Sequence, residues 1–141
     1  MDKKEVALAL LDEGYTCAIV REGETLCSKL RGVAPLLAWL QEGQVCKNGI
    51  AADKVVGKAA AYLYVLLGVD EVHALVMSKE AENVFLRFGI AYSYRQLVSM
   101  ICNRTGDGYC PMEQAVLSID KPIEGVQAIE RTLAKLKEKA K

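Results

Sequence analysis

The stretch that decides the fold runs from position 44 to position 94 and reads QVCKNGIAADKVVGKAAAYLYVLLGVDEVHALVMSKEAENVFLRFGIAYSY. It predicts, in order, a strand over residues 44–52, a helix over 53–67, a strand over 72–77, a helix over 78–88 and a strand over 90–94. Asp53 is the expected N-cap of the first helix, and Ser78 that of the second. A strand–helix–strand–helix–strand order is typical of a sheet that carries helices on its faces.

The flanking sequence adds a hairpin and further helices to this unit. On the N-terminal side we expect a helix over residues 2–14, a hairpin formed by residues 15–20 and 24–28, and a short helix over 35–40. On the C-terminal side we expect a short helix that opens at Cys110 and an amphipathic helix that starts near Pro122. The sequence contains no repeat or linker, so we expect residues 1–141 to form a single domain.

Composition restricts the classes of partner. Lys plus Arg and Asp plus Glu each number 18, so the formal net charge is zero, which disfavours a nucleic-acid binder that depends on phosphate contacts. The N-terminus has no signal-peptide pattern, and the longest apolar run, residues 59–69, is too short to cross a bilayer. The five cysteines are scattered and odd in number, as expected for reduced thiols. We therefore expect a cytoplasmic protein without a membrane segment.

Asp53, Lys54 and Lys58 form the first candidate site. In the predicted helix Lys54 and Lys58 are four residues apart and share a face beside the free N–H groups of the helix start. Such a site could hold a carboxylate or a phosphate. The alternative is that Asp53 only caps the helix and that both lysines are solvated.

Cys110 and Glu113 form the second candidate site. With Cys110 as N-cap, Pro111 occupies the first helical position and Glu113 the position of a capping-box carboxylate. A thiol at a helix start has a lowered pKa and can act as a nucleophile. Against this, Glu113 opposes thiolate formation and no histidine is near in sequence, so an inert thiol remains the alternative.

Asn103 and Arg104 lie in a polar loop, residues 103–108, just before Cys110. Arg104 could clamp an anionic group bidentately, and the alternative is an ordinary surface turn.

The single histidine, His73, lies inside a predicted strand, and a catalytic zinc needs about three clustered ligands. The sequence therefore predicts neither a metal site nor another cofactor.

Residues 51–60 (AADKVVGKAA), 76–78 (VMS), 103–104 (NR) and 110–115 (CPMEQA) together resemble a bacterial family known as domain of unknown function 1893, and residues 31–36 (RGVAPL) also fit it. The resemblance covers nearly the whole chain. It implies the cytidine-deaminase-like fold, a three-layer α/β/α arrangement with a mixed central sheet and helices on both faces.

The resemblance also indicates which deaminase groups are missing. Zinc deaminases supply an H-x-E signature from one helix start and P-C-x-x-C from the next. In this chain residues 52–54 (ADK) and 78–82 (SKEAE) correspond to these positions, and they contain neither the metal ligands nor the catalytic glutamate. The resemblance therefore implies that zinc-dependent deamination is absent.

These observations lead to two hypotheses about function. The first is a zinc-independent deaminase-fold protein that binds a small anionic, nucleotide-like metabolite in a pocket formed by Asp53, Lys54, Lys58, Ser78, Asn103, Arg104, Cys110 and Glu113. If this protein is an enzyme, Cys110 is the nucleophile, Lys54 or Lys58 stabilises its thiolate, and Asp53 positions the lysine. The second is a non-enzymatic ligand-sensing or protein-interaction module, in which the helix from Pro122 packs on a partner or on a second copy. The sequence alone does not decide between them.

Overall fold

Helices and strands alternate along most of the chain. The computed structural model describes residues 2–103, 106, 108 and 110–139. The elements are α1 (Lys3–Asp12), β1 (Cys17–Arg21), β2 (Glu24–Ser28), α2 (Ala34–Gln41), β3 (Ile50–Val56), α3 (Lys58–Leu67), β4 (Glu71–Ser78), α4 (Lys79–Phe88), β5 (Ala91–Val98), α5 (Pro111–Val116) and α6 (Pro122–Lys139).

The strands form one mixed sheet in the order β2-β1-β3-β4-β5. β1 runs antiparallel to both β2 and β3, whereas β3, β4 and β5 are parallel to one another. α3 connects β3 to β4, and α4 connects β4 to β5. The predicted strand–helix–strand–helix–strand order and the mixed sheet are therefore confirmed.

Helices lie on both faces of the sheet. Ala7 and Leu11 of α1 form a small buried cluster with Val20 of β1 and Ala52 of β3. The adjacent residues Ile19 and Ala51 belong to the main core, which also contains residues of α2, α3, α4, α5 and α6. Because consecutive strand residues point to opposite faces, α1 covers one face and the main core lies on the other.

α6 is an integral part of this core. Val126 and Ile129 are buried in the main cluster. A Cβ atom at Gly125 would lie 2.5 Å from Cδ2 of Tyr62. Only glycine therefore allows α6 to approach the Tyr62 ring of α3 this closely. Among the described residues, no helix combines the length and apolar character that a membrane span requires.

The predicted boundary between β3 and α3 is wrong. β3 continues through Asp53, which pairs with Cys17 of β1 and with Ala74 of β4, and the N-cap of α3 is Gly57. Asp53 therefore does not cap a helix. Lys54 lies in the strand, so it cannot share a helical face with Lys58, which is the first residue of α3.

Candidate functional site

A cavity of about 460 Å³ opens at the carboxyl end of β3. This volume is within the range of small-molecule sites, and the carboxyl ends of parallel strands are a common location for ligands. We call it the β3 cavity. Its lining residues are Thr16, Arg31, Gly32, Val33, Asp53, Lys54, Val55, Gly57, Ala60, Ile101, Cys102, Cys110, Met112 and Glu113.

Asp53 contributes a buried carboxyl group to the β3 cavity, with only 9% of the residue exposed. Its Oδ2 accepts a hydrogen bond from the Tyr64 hydroxyl at 2.7 Å, and its Oδ1 accepts one from the main-chain N–H of Val55 at 3.3 Å. Burial raises the pKa of Asp53 from 3.8 to about 7, although hydrogen bonds to the carboxylate oppose the rise. Asp53 can therefore exchange a proton close to neutral pH.

Glu113 is the second buried carboxyl group of the cavity. Its Oε1 accepts a hydrogen bond from the main-chain N–H of Lys58 at 2.6 Å, and its Oε2 accepts one from that of Ala59 at 2.9 Å. These N–H groups belong to the first turn of α3, where a helix has no internal acceptors for them. Burial raises the pKa of Glu113, and the two N–H groups oppose the rise.

The position of Glu113 corrects two predictions. Its carboxylate caps α3 and not its own helix α5, so the predicted capping box with Cys110 is wrong. It also occupies the N-terminus of α3, at which an external anion was expected. Gly57 makes this possible, because a Cβ atom at that position would lie 2.2 Å from Oε1 of Glu113.

Two cations line the cavity on its exposed side. Arg31 precedes α2 and Lys54 lies on β3, and both residues are exposed. The main-chain N–H of Lys54 donates to the carbonyl of Thr16, which ties this part of β3 to the start of β1. Within the described ranges neither cation forms an ion pair with a carboxylate.

Two thiols, those of Cys102 and Cys110, also line the cavity. Cys102 is exposed, and Cys110 is half-buried at the N-cap of α5. The main-chain N–H of Cys110 donates to the carbonyl of Ile101 at 3.0 Å, which ties the start of α5 to the segment that carries Cys102. A nucleophilic Cys110 would therefore face a ligand in the cavity.

The structure brings together four of the predicted site residues, namely Asp53, Lys54, Cys110 and Glu113. Ser78 is not among the lining residues: it is buried, and its hydroxyl accepts a hydrogen bond from the N–H of Ala81 as the N-cap of α4. Ser78 was correctly predicted as the N-cap, but its hydroxyl binds the first turn of α4 and does not line the cavity.

Lys58 is also outside the β3 cavity. Its Nζ donates to the carbonyl of Leu117 at 2.9 Å and lies 5.7 Å from the centre of the Tyr62 ring. These contacts direct the ammonium group towards the end of α5, so Lys58 is not placed to stabilise a thiolate at Cys110.

The structure describes Asn103 but not Arg104. The main-chain N–H of Asn103 donates to the carbonyl of Gly108 at 2.8 Å, and Asn103 is not among the residues that line the β3 cavity. Arg104 lies outside the described residues.

Arg31, Thr16 and Cys102 also line the cavity, although the sequence did not predict them as site residues. Arg31 precedes Gly32, whose φ of +73° turns the chain into α2. In the sequence, Arg31 is marked only by the Arg-Gly pair that precedes a predicted helix. That pair does not indicate that Arg31 lies near β3 in the fold. Thr16 reaches the cavity because β1 and β3 pair antiparallel, a contact between residues far apart in sequence.

Across residues 2–103, 106, 108 and 110–139, no group of three or more His, Cys, Asp or Glu side chains is arranged to hold a metal ion. His73 is not among the residues that line the β3 cavity. Zinc independence therefore stays a prediction based on the missing sequence signatures.

A mixed sheet with a ligand-sized cavity at the carboxyl end of β3 defines an α/β protein with a candidate small-molecule site. The chain belongs to the TM1506 family, described as a domain of unknown function (DUF1893), whose model matches residues 5–133. It is similar to the crystal structure of a DUF1893 family protein (TM1506) from Thermotoga maritima. The two chains share 26% sequence identity with a TM-score of 0.83, over 90% of this chain and 87% of the other. No curated protein matches this chain.

Proposed function

We propose that this chain is a zinc-independent, cytoplasmic bacterial protein of the cytidine-deaminase-like fold that binds a small anionic, nucleotide-like metabolite in the β3 cavity. The observation that carries the proposal is the composition of that cavity. It combines Arg31 and Lys54 on the exposed side with the buried carboxyl group of Asp53 inside.

The two cations explain why the ligand should be anionic. Arg31 and Lys54 lack carboxylate partners among the described residues, and a phosphate or carboxylate group would supply one. The N-terminus of α3 cannot do so, because Glu113 already accepts from the N–H groups of Lys58 and Ala59. The anionic group should therefore bind on the exposed side of the cavity.

The interior of the cavity suits the rest of the ligand. Val33, Val55, Ile101 and Met112 provide apolar surface for a flat or ring-shaped group. Asp53 can accept a hydrogen bond when ionised and donate one when protonated, and both forms are populated near pH 7. A ring that carries N–H and C=O groups, such as a nucleobase, matches this combination.

If the protein is an enzyme, Cys110 is the candidate nucleophile. It lines the same cavity as Lys54 and Asp53, so a bound electrophile could meet a thiol, a cation and a proton acceptor together. The same cavity without reaction at Cys110 would serve a ligand sensor. A catalytic Cys110 should form a covalent adduct or be protected by the ligand, whereas a sensor needs neither.

Binding can be tested by isothermal titration calorimetry with uridine 5′-monophosphate and adenosine 5′-monophosphate, with uridine and inorganic phosphate as partial ligands. We expect saturable binding of a nucleotide, weaker binding of both fragments, and a loss of affinity of about tenfold or more for Arg31→Ala or Lys54→Ala, the usual effect of removing a charge-assisted hydrogen bond. Exposed Lys4 and Arg131 provide the controls Lys4→Ala and Arg131→Ala, which should bind like the wild type. Binding that Arg31→Ala and Lys54→Ala leave unchanged, or no saturable binding of these anions, would contradict the proposal.

A further inference from the structure

A second polar cluster lies on the sheet, away from the β3 cavity. Glu71 and His73 are two residues apart on β4, so their side chains point to the same face. Ser93 of β5 lies directly beside His73 in the parallel register. The register also aligns His73 with Ala52, which packs under α1, and the cluster therefore occupies the α1 face of the sheet.

Both ring nitrogens of His73 are hydrogen-bonded. Nε2 lies 2.9 Å from Oε2 of Glu71, and Nδ1 lies 2.5 Å from Oγ of Ser93. An ionised carboxylate can only accept, so the neutral imidazole must carry its proton on Nε2 and donate it to Glu71. Nδ1 then has a free lone pair, and the Ser93 hydroxyl must be the donor in the second bond.

We propose that Ser93 is a base-activated nucleophile for acyl esters, with His73 as its general base and Glu71 as the residue that positions His73. A serine hydroxyl that donates to an imidazole, itself fixed by a carboxylate, is the arrangement that activates serine in acyl transfer. His73 is buried and held from both sides, whereas Ser93 is exposed and accessible to a substrate.

The reaction needs no additional reactant besides the ester and water. Ser93 Oγ forms a bond to the carbonyl carbon of the ester while its proton passes to Nδ1 of His73. The tetrahedral intermediate collapses with cleavage of the bond to the leaving alcohol, which takes the proton from Nδ1. Water, deprotonated by the same nitrogen, then releases the acyl group as a carboxylic acid and regenerates Ser93.

The edge position of β5 directs a main-chain N–H next to Ser93 away from β4, where it could donate to the developing oxyanion. β5 is the last strand of the sheet. The main-chain N–H of Ala91 points towards β4, where it donates to the carbonyl of Asp70. Because N–H directions alternate along a strand, the N–H of Tyr94, next to Ser93, points away from β4 and is oriented towards the open edge.

The test is covalent labelling with a fluorophosphonate probe, which serine displaces at phosphorus with loss of fluoride, followed by peptide mass spectrometry. We expect the label at Ser93, its loss in Ser93→Ala, and wild-type labelling in Ser118→Ala, which removes another exposed serine. His73→Gln should slow labelling by about tenfold or more, since a general base contributes roughly 10²–10⁴-fold. Glu71→Gln should slow it as well, and Glu71→Asp, which keeps the carboxylate, should restore part of the rate.

Release of p-nitrophenol from p-nitrophenyl acetate provides a second readout with the same variants. Circular dichroism identifies any variant that fails to fold, and the Glu71 pair then replaces His73→Gln. Labelling that is absent, or equal at Ser93 and Ser118, overturns the proposal. Equal labelling rates for wild type, His73→Gln and Glu71→Gln overturn it too. Since the β3 cavity does not include these residues, neither result affects the proposed metabolite site.

Discussion

At the scale of single residues, Asp53 carries the most information about the candidate site. Its backbone pairs with β1 and β4, and its buried carboxyl group accepts hydrogen bonds from the hydroxyl of Tyr64 and the N–H of Val55. Neutral hydrogen-bond donors do not replace the hydration of a full charge, so burial dominates and the pKa rises to about 7. A carboxyl group in this state lowers stability when it is ionised, which is a common property of functional sites.

The raised pKa of Asp53 makes the stability of the fold depend on pH. The pKa of Asp53 is higher in the folded state than in the unfolded chain, so the folded state binds the proton more tightly. Between pH 4 and 7 the unfolded chain releases this proton first, and the contribution of Asp53 to stability falls as the pH rises. Asp53→Asn removes the titration and should remove this part of the pH dependence.

Urea unfolding of the wild type and of Asp53→Asn at pH 5 and pH 7 measures the effect. Relative to the variant, the wild type should lose on the order of 2 kcal/mol over this interval, because each pKa unit corresponds to about 1.4 kcal/mol. The variant has a constant cost at both pH values, since an NH2 group, which donates, replaces one of the two oxygens that accept from Tyr64 and Val55. Parallel pH profiles for the two proteins would show that Asp53 has an ordinary pKa.

At the scale of elements, the start of α3 shows where prediction from sequence ends. The apolar pattern of residues 44–94 correctly gave the order of three strands and two helices, and Ser78 and Gly89 marked the ends of α4 correctly. The start of α3 was misplaced because Asp53 is a good local N-cap. The actual cap is the carboxylate of Glu113, which contacts Lys58 across 55 residues of sequence and leaves no local signal.

The cap can be tested with a double-mutant cycle. Gly57→Ala places a methyl group within 2.2 Å of Oε1 of Glu113, so the carboxylate must leave the N-terminus of α3. We expect a loss of about 1–3 kcal/mol in the free energy of unfolding, the usual cost of overpacking. Glu113→Ala should cost a similar amount, because the N–H groups of Lys58 and Ala59 lose their acceptor.

The double variant distinguishes this explanation from two independent effects. Once Glu113→Ala has removed the carboxylate, the three atoms nearest to the methyl group at position 57 are gone. The double variant should therefore be about as stable as Glu113→Ala alone, and the coupling should be clear in thermal or urea unfolding. Additive losses would mean that Gly57 and Glu113 do not interact.

At the scale of the whole molecule, the sequence predicted which elements exist but not how the site is assembled. The main core follows from apolar periodicity, and the Gly125 contact with Tyr62 shows how α6 joins it. The β3 cavity combines residues from the start of β1, from β3 and from the segments around Arg31 and Cys110. Such contacts depend on the strand order and on antiparallel pairing, which a single sequence does not specify.

The five cysteines test this arrangement in one experiment, through iodoacetamide alkylation followed by peptide mass spectrometry. Exposed Cys102 should react first, and half-buried Cys27 and Cys110 more slowly. Cys17 and Cys46 are buried in the same core, and burial raises the pKa of both thiols, to about 12 for Cys17, so they should react only when the domain unfolds. Their labelling midpoints in urea should coincide with each other and with the circular-dichroism transition, because a single domain loses its core in one step. Separate midpoints would contradict a single cooperative domain.

The alkylation rate of Cys110 gives an additional readout. If Cys110 reacts faster than Cys102 despite its lower exposure, its thiolate is favoured and the catalytic version of the β3 cavity gains support. A rate in line with its exposure favours a ligand sensor.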